Sequence, residues 1–371
     1  MMRYDKMSSF RVMDLVREAN RYEDTIHFEV GQPDLNPPAG VVEALSDIVK
    51  EGLFGYTESM GLPALREKIS MHYRRVYGVE VDPSRILITP GSSIAFMVAY
   101  QLTTVCGSKI GLADPSYPCY RNFAYMVDSE PLFIDIDESN GFVINPSSLE
   151  GLDLDLLHIS TPSNPTGTVY GDGELEALAR YCEEKGISLI SDELYHGLVY
   201  GENPSTVLSY SDEAIVINGF SKYFCMPGLR LGWMIVPERL VRASEIVAQN
   251  LYISAPSHAQ YAAVEAFDYD YLSQVREEFR ARRDFLLAEL SEIFHISAEP
   301  QGAFYIWCDA SRYTDDAVRF SFELLAEKHV AVTPGADFGS HKTDTALRFS
   351  FTRDIDHMSE GIERIKSFLG L

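Results

Sequence analysis

Reactive side chains stand just beyond short apolar runs at four places in the chain. Ile187-Ser-Leu-Ile-Ser-Asp192 ends on an acid, with Tyr195 three residues on. An aspartate there could serve a site, or it could only cap the helix that follows. Ala214–Asn218 runs into Gly-Phe-Ser-Lys222. An amine held at a strand end can act as a nucleophile or a base, whereas most lysines are solvated surface groups. Thr161-Pro-Ser-Asn164-Pro-Thr-Gly167 follows Leu156–Ser160 and supplies an amide, although each of its residues is turn-prone. Thr89-Pro-Gly91-Ser92-Ser93 leads from a strand into a helical run. Its amides and hydroxyls suit a phosphate, or cap the helix with no ligand at all. Together these segments offer an amine, a carboxylate, an amide, a phenol and an anion nest.

They can converge only if the runs before them are neighbouring strands. From about residue 85 to 236, Ile86–Thr89, Lys109–Ala113, Leu132–Ile136, Leu156–Ser160, Ile187–Ser191, Ala214–Asn218 and Leu231–Val236 alternate with helical patterns such as Leu175, Leu178, Ala179 and Cys182. That alternation predicts an α/β fold, a mainly parallel sheet with helices on both faces. Ligands bind beyond the carboxyl ends of such strands, where the four segments fall.

After Pro237 the pattern changes. A charged helical stretch over Ser273–Phe294 precedes apolar runs at Ala303–Cys308, Val330–Thr333 and Leu347–Phe351 and an amphipathic helix over Met358–Leu369. This reads as a smaller α+β unit. At 371 residues the chain exceeds what one core usually organises. The expected division is a large domain over 46–274 and a small domain built from 1–45, an N-terminal arm, and 275–371. Periodicity does not place the first forty residues, whose Gly31–Pro38 stretch is a turn-rich loop.

Lys+Arg total 31 against Asp+Glu 55, a net charge of −24 that repels phosphate backbones and anionic lipid. Nucleic-acid and membrane partners are therefore not expected, and an anionic substrate needs arginines placed locally. The five cysteines are scattered and form no C-x-x-C pair, so neither a disulfide framework nor a metal site is expected. The opening residues hold no apolar signal core, and the longest apolar stretch, near Ile94–Leu102, is half a bilayer span at most. A soluble cytoplasmic protein is the expectation.

Read in order, Gly31-Gln-Pro-Asp, Gly55-Tyr56-Thr-Glu-Ser-Met-Gly61-Leu-Pro-Ala-Leu-Arg66, Asp114-Pro-Ser-Tyr117, Asn164-Pro-Thr-Gly167, Asp192-Glu-Leu-Tyr195, Ser221-Lys222, Pro227-Gly-Leu-Arg230 and Arg348 form a series. In this series the chain resembles the fold-type I, class I/II aminotransferases, which use pyridoxal 5′-phosphate. The resemblance covers essentially the whole chain and implies a three-layer αβα fold and a homodimer with shared active sites. It also implies that Lys222 condenses with the cofactor aldehyde and then acts as base, while Asp192 pairs with the pyridine nitrogen. By the same resemblance Asn164 and Tyr195 bind the ring oxygen, and Tyr117 stacks on the ring. Gly91, Ser92, Ser93 and Arg230 cradle the phosphate, with Tyr56 of the partner subunit. Many relatives carry a serine three residues before the lysine, where this chain has Gly219; Ser221 could take its place. Arg348 would grip the substrate α-carboxylate, with Asn164 and the Gly31 backbone beside it.

The implied activity is amino-acid:2-oxo-acid transamination with 2-oxoglutarate as acceptor. Aspartate, alanine and aromatic amino acids stay open as donors, because no second arginine for a side-chain carboxylate is assignable and Tyr4, Phe10, Tyr56 and Tyr117 are pocket candidates. The alternatives are another reaction on the same scaffold, such as C–S β-elimination, cyclisation or decarboxylation, or a non-catalytic sensor. The last is disfavoured by the charge and by the lack of a DNA-binding segment.

Overall fold

In the computed structural model, which describes residues 3–371, helix α1 (Arg11–Ala19) and strand β1 (Ile26–His27) come first. Then follow α2 (Ala39–Glu51), α3 (Pro63–Tyr77), β2 (Ile86–Thr89), α4 (Ser92–Thr103), β3 (Lys109–Asp114), α5 (Cys119–Met126) and β4 (Glu130–Asp135). The next elements are β5 (Leu156–Ser160), α6 (Asp172–Lys185), β6 (Ser188–Asp192), β7 (Ile215–Gly219) and β8 (Gly232–Ile235). Helices α7 (Val241–Leu251), α8 (Ser257–Ala263) and α9 (Tyr269–Ser291) lead to β9 (His295–Ala298) and β10 (Tyr305–Asp309). The chain continues through α10 (Ala317–Lys328), β11 (Val330–Ala331), β12 (Thr333–Pro334), β13 (Ala346–Ser350) and α11 (Ile355–Leu369).

The predicted strand runs assemble into one seven-stranded sheet in the order β2-β8-β7-β6-β5-β3-β4. Its pairs are parallel except those of β8, which runs antiparallel to both β2 and β7. Successive strand residues feed opposite cores. Ile86, Ile88, Val216 and Ile235 pack with Leu65 and Ile69 of α3 and Leu175 and Leu178 of α6. Leu87, Ile215, Ile217 and Met234 pack with Ala95 and Phe96 of α4, Phe123 of α5 and Ala248 of α7. A strand covered on both faces must be apolar throughout, which is why these runs read as continuous rather than alternating. The result is the expected three-layer αβα arrangement.

The C-terminal part holds a four-stranded antiparallel sheet, β12-β13-β10-β9, and a parallel pair, β1-β11. Phe304, Ile306, Leu347 and Phe349 share a core with Phe279 and Leu286 of α9 and Ile362 of α11. The run Val330–Thr333 does not form the single strand expected: β11 pairs with β1, while β12 pairs with β13. Strand β4 begins at Glu130, two residues before the apolar run, because it is an edge strand and tolerates Pro131. Helix α9 starts at Tyr269, capped by the Asp268 carboxylate on the Tyr271 amide at 3.2 Å, ahead of the expected Ser273. Among the described residues no helix is long and apolar enough to cross a membrane.

Candidate active site

At the carboxyl edge of β5, β6 and β7 lies a cavity of about 410 Å³. Gly31, Ser92, Ser93, Tyr117, Asn164, Asp192, Tyr195, Ser221, Lys222, Arg230 and Arg348 all line it. Most of these residues close or follow strands of the large sheet, Arg230 precedes β8, and Gly31 and Arg348 reach the same edge from β1 and β13 of the other sheets. A depression of about 520 Å³ along α9 is lined by Asp270, Ser273, Gln274, Glu277 and Glu278, a solvated acidic face without convergent functional groups.

Lys222 stands three residues past the end of β7, and its Nζ donates to the Gly31 carbonyl at 2.7 Å. The amine lies 5.5 Å from the Phe304 ring centre and 5.8 Å from that of Tyr195. Burial, reinforced by the positive charges of Arg348 and Arg230, lowers its pKa from 10.5 to about 8, against a smaller opposing pull from Asp192. A lysine in such surroundings is partly neutral near ambient pH, the condition for nucleophilic and base chemistry.

Asp192 closes β6 and is buried. Burial raises its pKa to about 6, although the Tyr120 phenol and the Leu194 amide both donate to it and pull the other way. The Leu194 bond, 3.0 Å to Oδ1, is the turn cap expected of an aspartate there. It leaves the carboxylate on the cavity wall, so the two readings of Asp192 are compatible.

Arg348 on β13 is held from every side. Nη1 donates to Asn164 Oδ1 at 3.0 Å, and Nη2 donates to the Glu29 carbonyl at 2.8 Å and to Thr333 Oγ1 at 3.3 Å. The guanidinium lies 4.2 Å from the Tyr305 ring centre and 4.9 Å from that of Phe338. Its Nε is buried without a partner among the described residues. An unsatisfied cationic donor on a residue that lines the cavity suits an anion.

Helix α4 begins at Ser92 with Gly91 before it at φ +81°, and no side chain caps its amides. A Cβ at Gly91 would lie 2.5 Å from Arg230 Nη2, and one at Gly232 would lie 2.8 Å from the Ser92 nitrogen. Bare backbone therefore brings a helix N-terminus, two hydroxyls and a guanidinium together, a phosphate-binding combination. Ser221 is buried on the cavity, whereas a Cβ at Gly219 would meet Gly232 Cα, Leu194 and the Leu231 carbonyl at 3.3 Å.

Two expected residues stand apart from this wall. Gly91 lies beneath Arg230 and is not itself exposed to the cavity. Tyr56 is 82% exposed and absent from the cavity of its own chain. Of the aromatic pocket candidates, Phe10 lines the cavity, and the side chain of Tyr4 lies outside the described residues.

Sequence reasoning missed Tyr120, Tyr305 and Phe338. Tyr120 sits in the first turn of α5, three residues after Tyr117 in the preceding loop, and this second aromatic so close to the first was the available signal. The phenol oxygens of Tyr305 and Tyr195 lie 2.9 Å apart. Alternation along β10 puts Tyr305 on the same face as Trp307, which pairs with Arg348, but only the register reveals it. Phe338 lies in a loop with no periodic signal.

An acid that can face a ring nitrogen, an amine of lowered pKa, an anion cradle at one end and an unsatisfied arginine near the amine fit pyridoxal phosphate and a carboxylate substrate. Such a site on a mainly parallel αβα sheet defines a fold-type I pyridoxal-phosphate enzyme. The profile of the family described as aminotransferase class I and II matches residues 23–365, and the chain belongs to that family. It is 35% identical over 372 residues to a valine–pyruvate aminotransferase of Mycobacterium tuberculosis, covering 97% of this chain and 96% of that one. It is 36% identical over 374 residues to a (5-formylfuran-3-yl)methyl phosphate transaminase of Methanocaldococcus jannaschii, covering 97% of each. The crystal structure of an aminotransferase from Mycobacterium tuberculosis superposes with a TM-score of 0.96 at 34% identity, covering all of this chain and 98% of that one. The protein is accordingly a pyridoxal-phosphate-dependent aminotransferase.

Proposed function

We propose that the enzyme moves an amino group from an amino acid to a 2-oxo acid, with Lys222 as its covalent anchor and base. The observation that carries this reading is the half-buried Lys222 amine on the cavity wall, bonded to Gly31 and lowered to about 8 beside two arginines. Pyridoxal phosphate, when bound, supplies the electron sink. Asp192 would keep the ring nitrogen protonated, and Asn164 and Tyr195 would hold the ring oxygen. Tyr117 would cover the ring face, while Gly91, Ser92, Ser93, Ser221 and Arg230 would hold the phosphate. Arg348 takes the substrate α-carboxylate through its free Nε and, with the Gly31 backbone, orients the Cα–H bond toward Lys222 Nζ. Lys222 Nζ, of lowered pKa, would be the group that takes the Cα proton and later gives it back.

Residues 46–274 are proposed as the cofactor-binding domain, with 1–45 and 275–371 as the second. The exposed Tyr56 supports a homodimer in which it reaches the partner's phosphate site. A cytoplasmic setting fits the scattered free cysteines. The acceptor implied by the resemblance is 2-oxoglutarate, with aspartate, alanine or aromatic donors.

The test is a half-reaction with an amino acid and no acceptor, followed by absorbance and by assay of released ammonia. A transaminase converts one equivalent of bound cofactor to its amine form and stops. Continuous release of ammonia with an oxo acid would instead indicate the elimination reading.

A further inference from the structure

Two rings lie against the Arg348 guanidinium, and they are held in different ways. Tyr305 belongs to β10, which pairs in register with β13, so a sheet sets its place. Phe338, 4.9 Å from the guanidinium, belongs to the loop between β12 and β13. Its ring lines the cavity and meets Trp307 edge-on at 5.6 Å. A loop residue keeps such a place only if something fastens the loop.

The fastening comes from the carboxyl end of β3. Asp114, which is buried and off the cavity lining, accepts from the Ser340 amide at 3.0 Å to each oxygen. It also accepts from Ser340 Oγ at 3.0 Å and from the His341 amide at 3.2 Å. Two residues on, the Ser116 amide donates to the Phe338 carbonyl at 2.8 Å, and Arg121 Nη2 of α5 donates to the Asp337 carbonyl at 3.0 Å. The approach is close: a Cβ at Gly339 would lie 1.7 Å from Asp114 Oδ1. A buried carboxylate whose donors come from one turn loses its solvation if that turn moves, so the two are strongly held together.

An outer set of contacts on the same loop is weaker. Asp137 accepts from His341 Nε2 at 3.0 Å and from Lys342 Nζ at 2.7 Å. The Lys342 side chain is 67% exposed, and water screens such a pair. The inner carboxylate therefore sets the loop. Asp114 also begins the segment that ends in Tyr117. The ring proposed for the cofactor face and the loop ring beside Arg348 thus share one anchor.

We propose that Asp114 is a positioning residue for the substrate. By fastening the turn at Ser340 and His341 it holds Phe338 against Arg348, and so sets how firmly Arg348 grips the α-carboxylate. The assignment rests on the carboxylate role proposed for Arg348 and extends it to a residue outside the cavity.

The test uses purified holoenzyme and two amines: 2-methylalanine, which has no Cα–H to lose, and isopropylamine, the same amine without the carboxylate. Both are titrated through the absorbance of bound cofactor. Asp114→Ala should weaken 2-methylalanine by roughly 2–30-fold, the coupling carried by a residue that touches neither ligand, and leave isopropylamine unchanged. In turnover it should raise KM more than it lowers kcat, and peptides over 335–343 should exchange their amide hydrogens faster. Asp114→Asn, which keeps an acceptor oxygen for the turn, should recover most of the loss. Gly339→Ala, which intrudes on the carboxylate from the other side, should reproduce the loss and carries the comparison if Asp114→Ala does not fold. In a Phe338→Ala background Asp114→Ala should add little, because the route is already broken. Equal weakening of both amines, or full additivity with Phe338→Ala, would overturn the assignment. A wild type that binds both amines equally would remove the Arg348 reading and this assignment with it. A wild-type preference that survives in Asp114→Ala and Gly339→Ala would remove this assignment alone.

Discussion

Tyr195 and Tyr305 share a hydrogen bond, with their phenol oxygens 2.9 Å apart, and the Arg348 guanidinium lies over the Tyr305 ring at 4.2 Å. One side chain therefore touches both the residue proposed for the cofactor oxygen and the one proposed for the substrate carboxylate. Tyr305→Phe removes a hydrogen bond worth roughly 0.5–1.5 kcal/mol but keeps the ring. The absorbance titration of bound cofactor should then move to higher pH by up to about one unit, with little change in KM. Tyr305→Leu should add a rise in KM, because Arg348 loses the nearer of its two aromatic contacts. A pH titration of the spectrum and a kcat-against-KM comparison separate the two.

Lys222→Ala should abolish turnover. Borohydride reduction followed by peptide mass analysis should label position 222 in the wild type and nothing in the variant. Label at any other lysine would refute the anchor.

The same amine makes a pH-dependent contribution to stability. Its pKa in the folded protein is about 8 against 10.5 ordinarily, so the unfolded chain holds the proton more tightly. The cost of the desolvated ammonium is complete below pH 8 and fades as pH rises from 8 to 10.5. Lys222→Met should consequently raise the Tm of the cofactor-free protein at neutral pH, and the gain should shrink at alkaline pH. Melting curves across that window check the sign.

Asp192 has the opposite chemistry. Burial raises its pKa to about 6, and the Tyr120 phenol is one of two donors restraining the rise. Tyr120→Phe should raise it further, so cofactor binding should fall off at a higher pH on acidification than in the wild type. Asp192→Asn should reduce kcat by about 10²–10³-fold, the scale for loss of one preorganised electrostatic group. Cofactor affinity measured against pH, together with turnover, distinguishes the effects.

Tyr56 is exposed in its own chain. If it serves the partner's site, Tyr56→Ala and Lys222→Ala should complement each other. In a mixed dimer one site carries both defects and the other carries none. Co-expression of two impaired variants should restore activity, and analytical ultracentrifugation should show a dimer.

How much of this was legible differed by element. β2, β5 and β7 were readable because burial on both faces demands unbroken apolar runs, and the site residues follow those strands directly. The first forty residues were not, since β1 pairs with β11 some three hundred residues away and no local pattern records that partner. The Val330–Thr333 run looked like one strand because its apolar content is continuous, while a change of sheet between Ala331 and Thr333 is a tertiary event. Lys222, Asp192 and Arg348 stood out through their motifs. Tyr305, Phe338 and Asp337 gain their meaning only from what folds against them, and composition at their positions is unremarkable.

The bare backbone at Gly31 sets a limit on how this enzyme can vary. A β-carbon there would lie 2.1 Å from the Tyr305 hydroxyl, so any side chain pushes that phenol off Tyr195 and disturbs the carbonyl that Lys222 holds. Saturation mutagenesis under selection for activity should return glycine almost alone at this codon. Survivors that keep another residue should carry a second change at position 305, shrinking the ring that occupies the space.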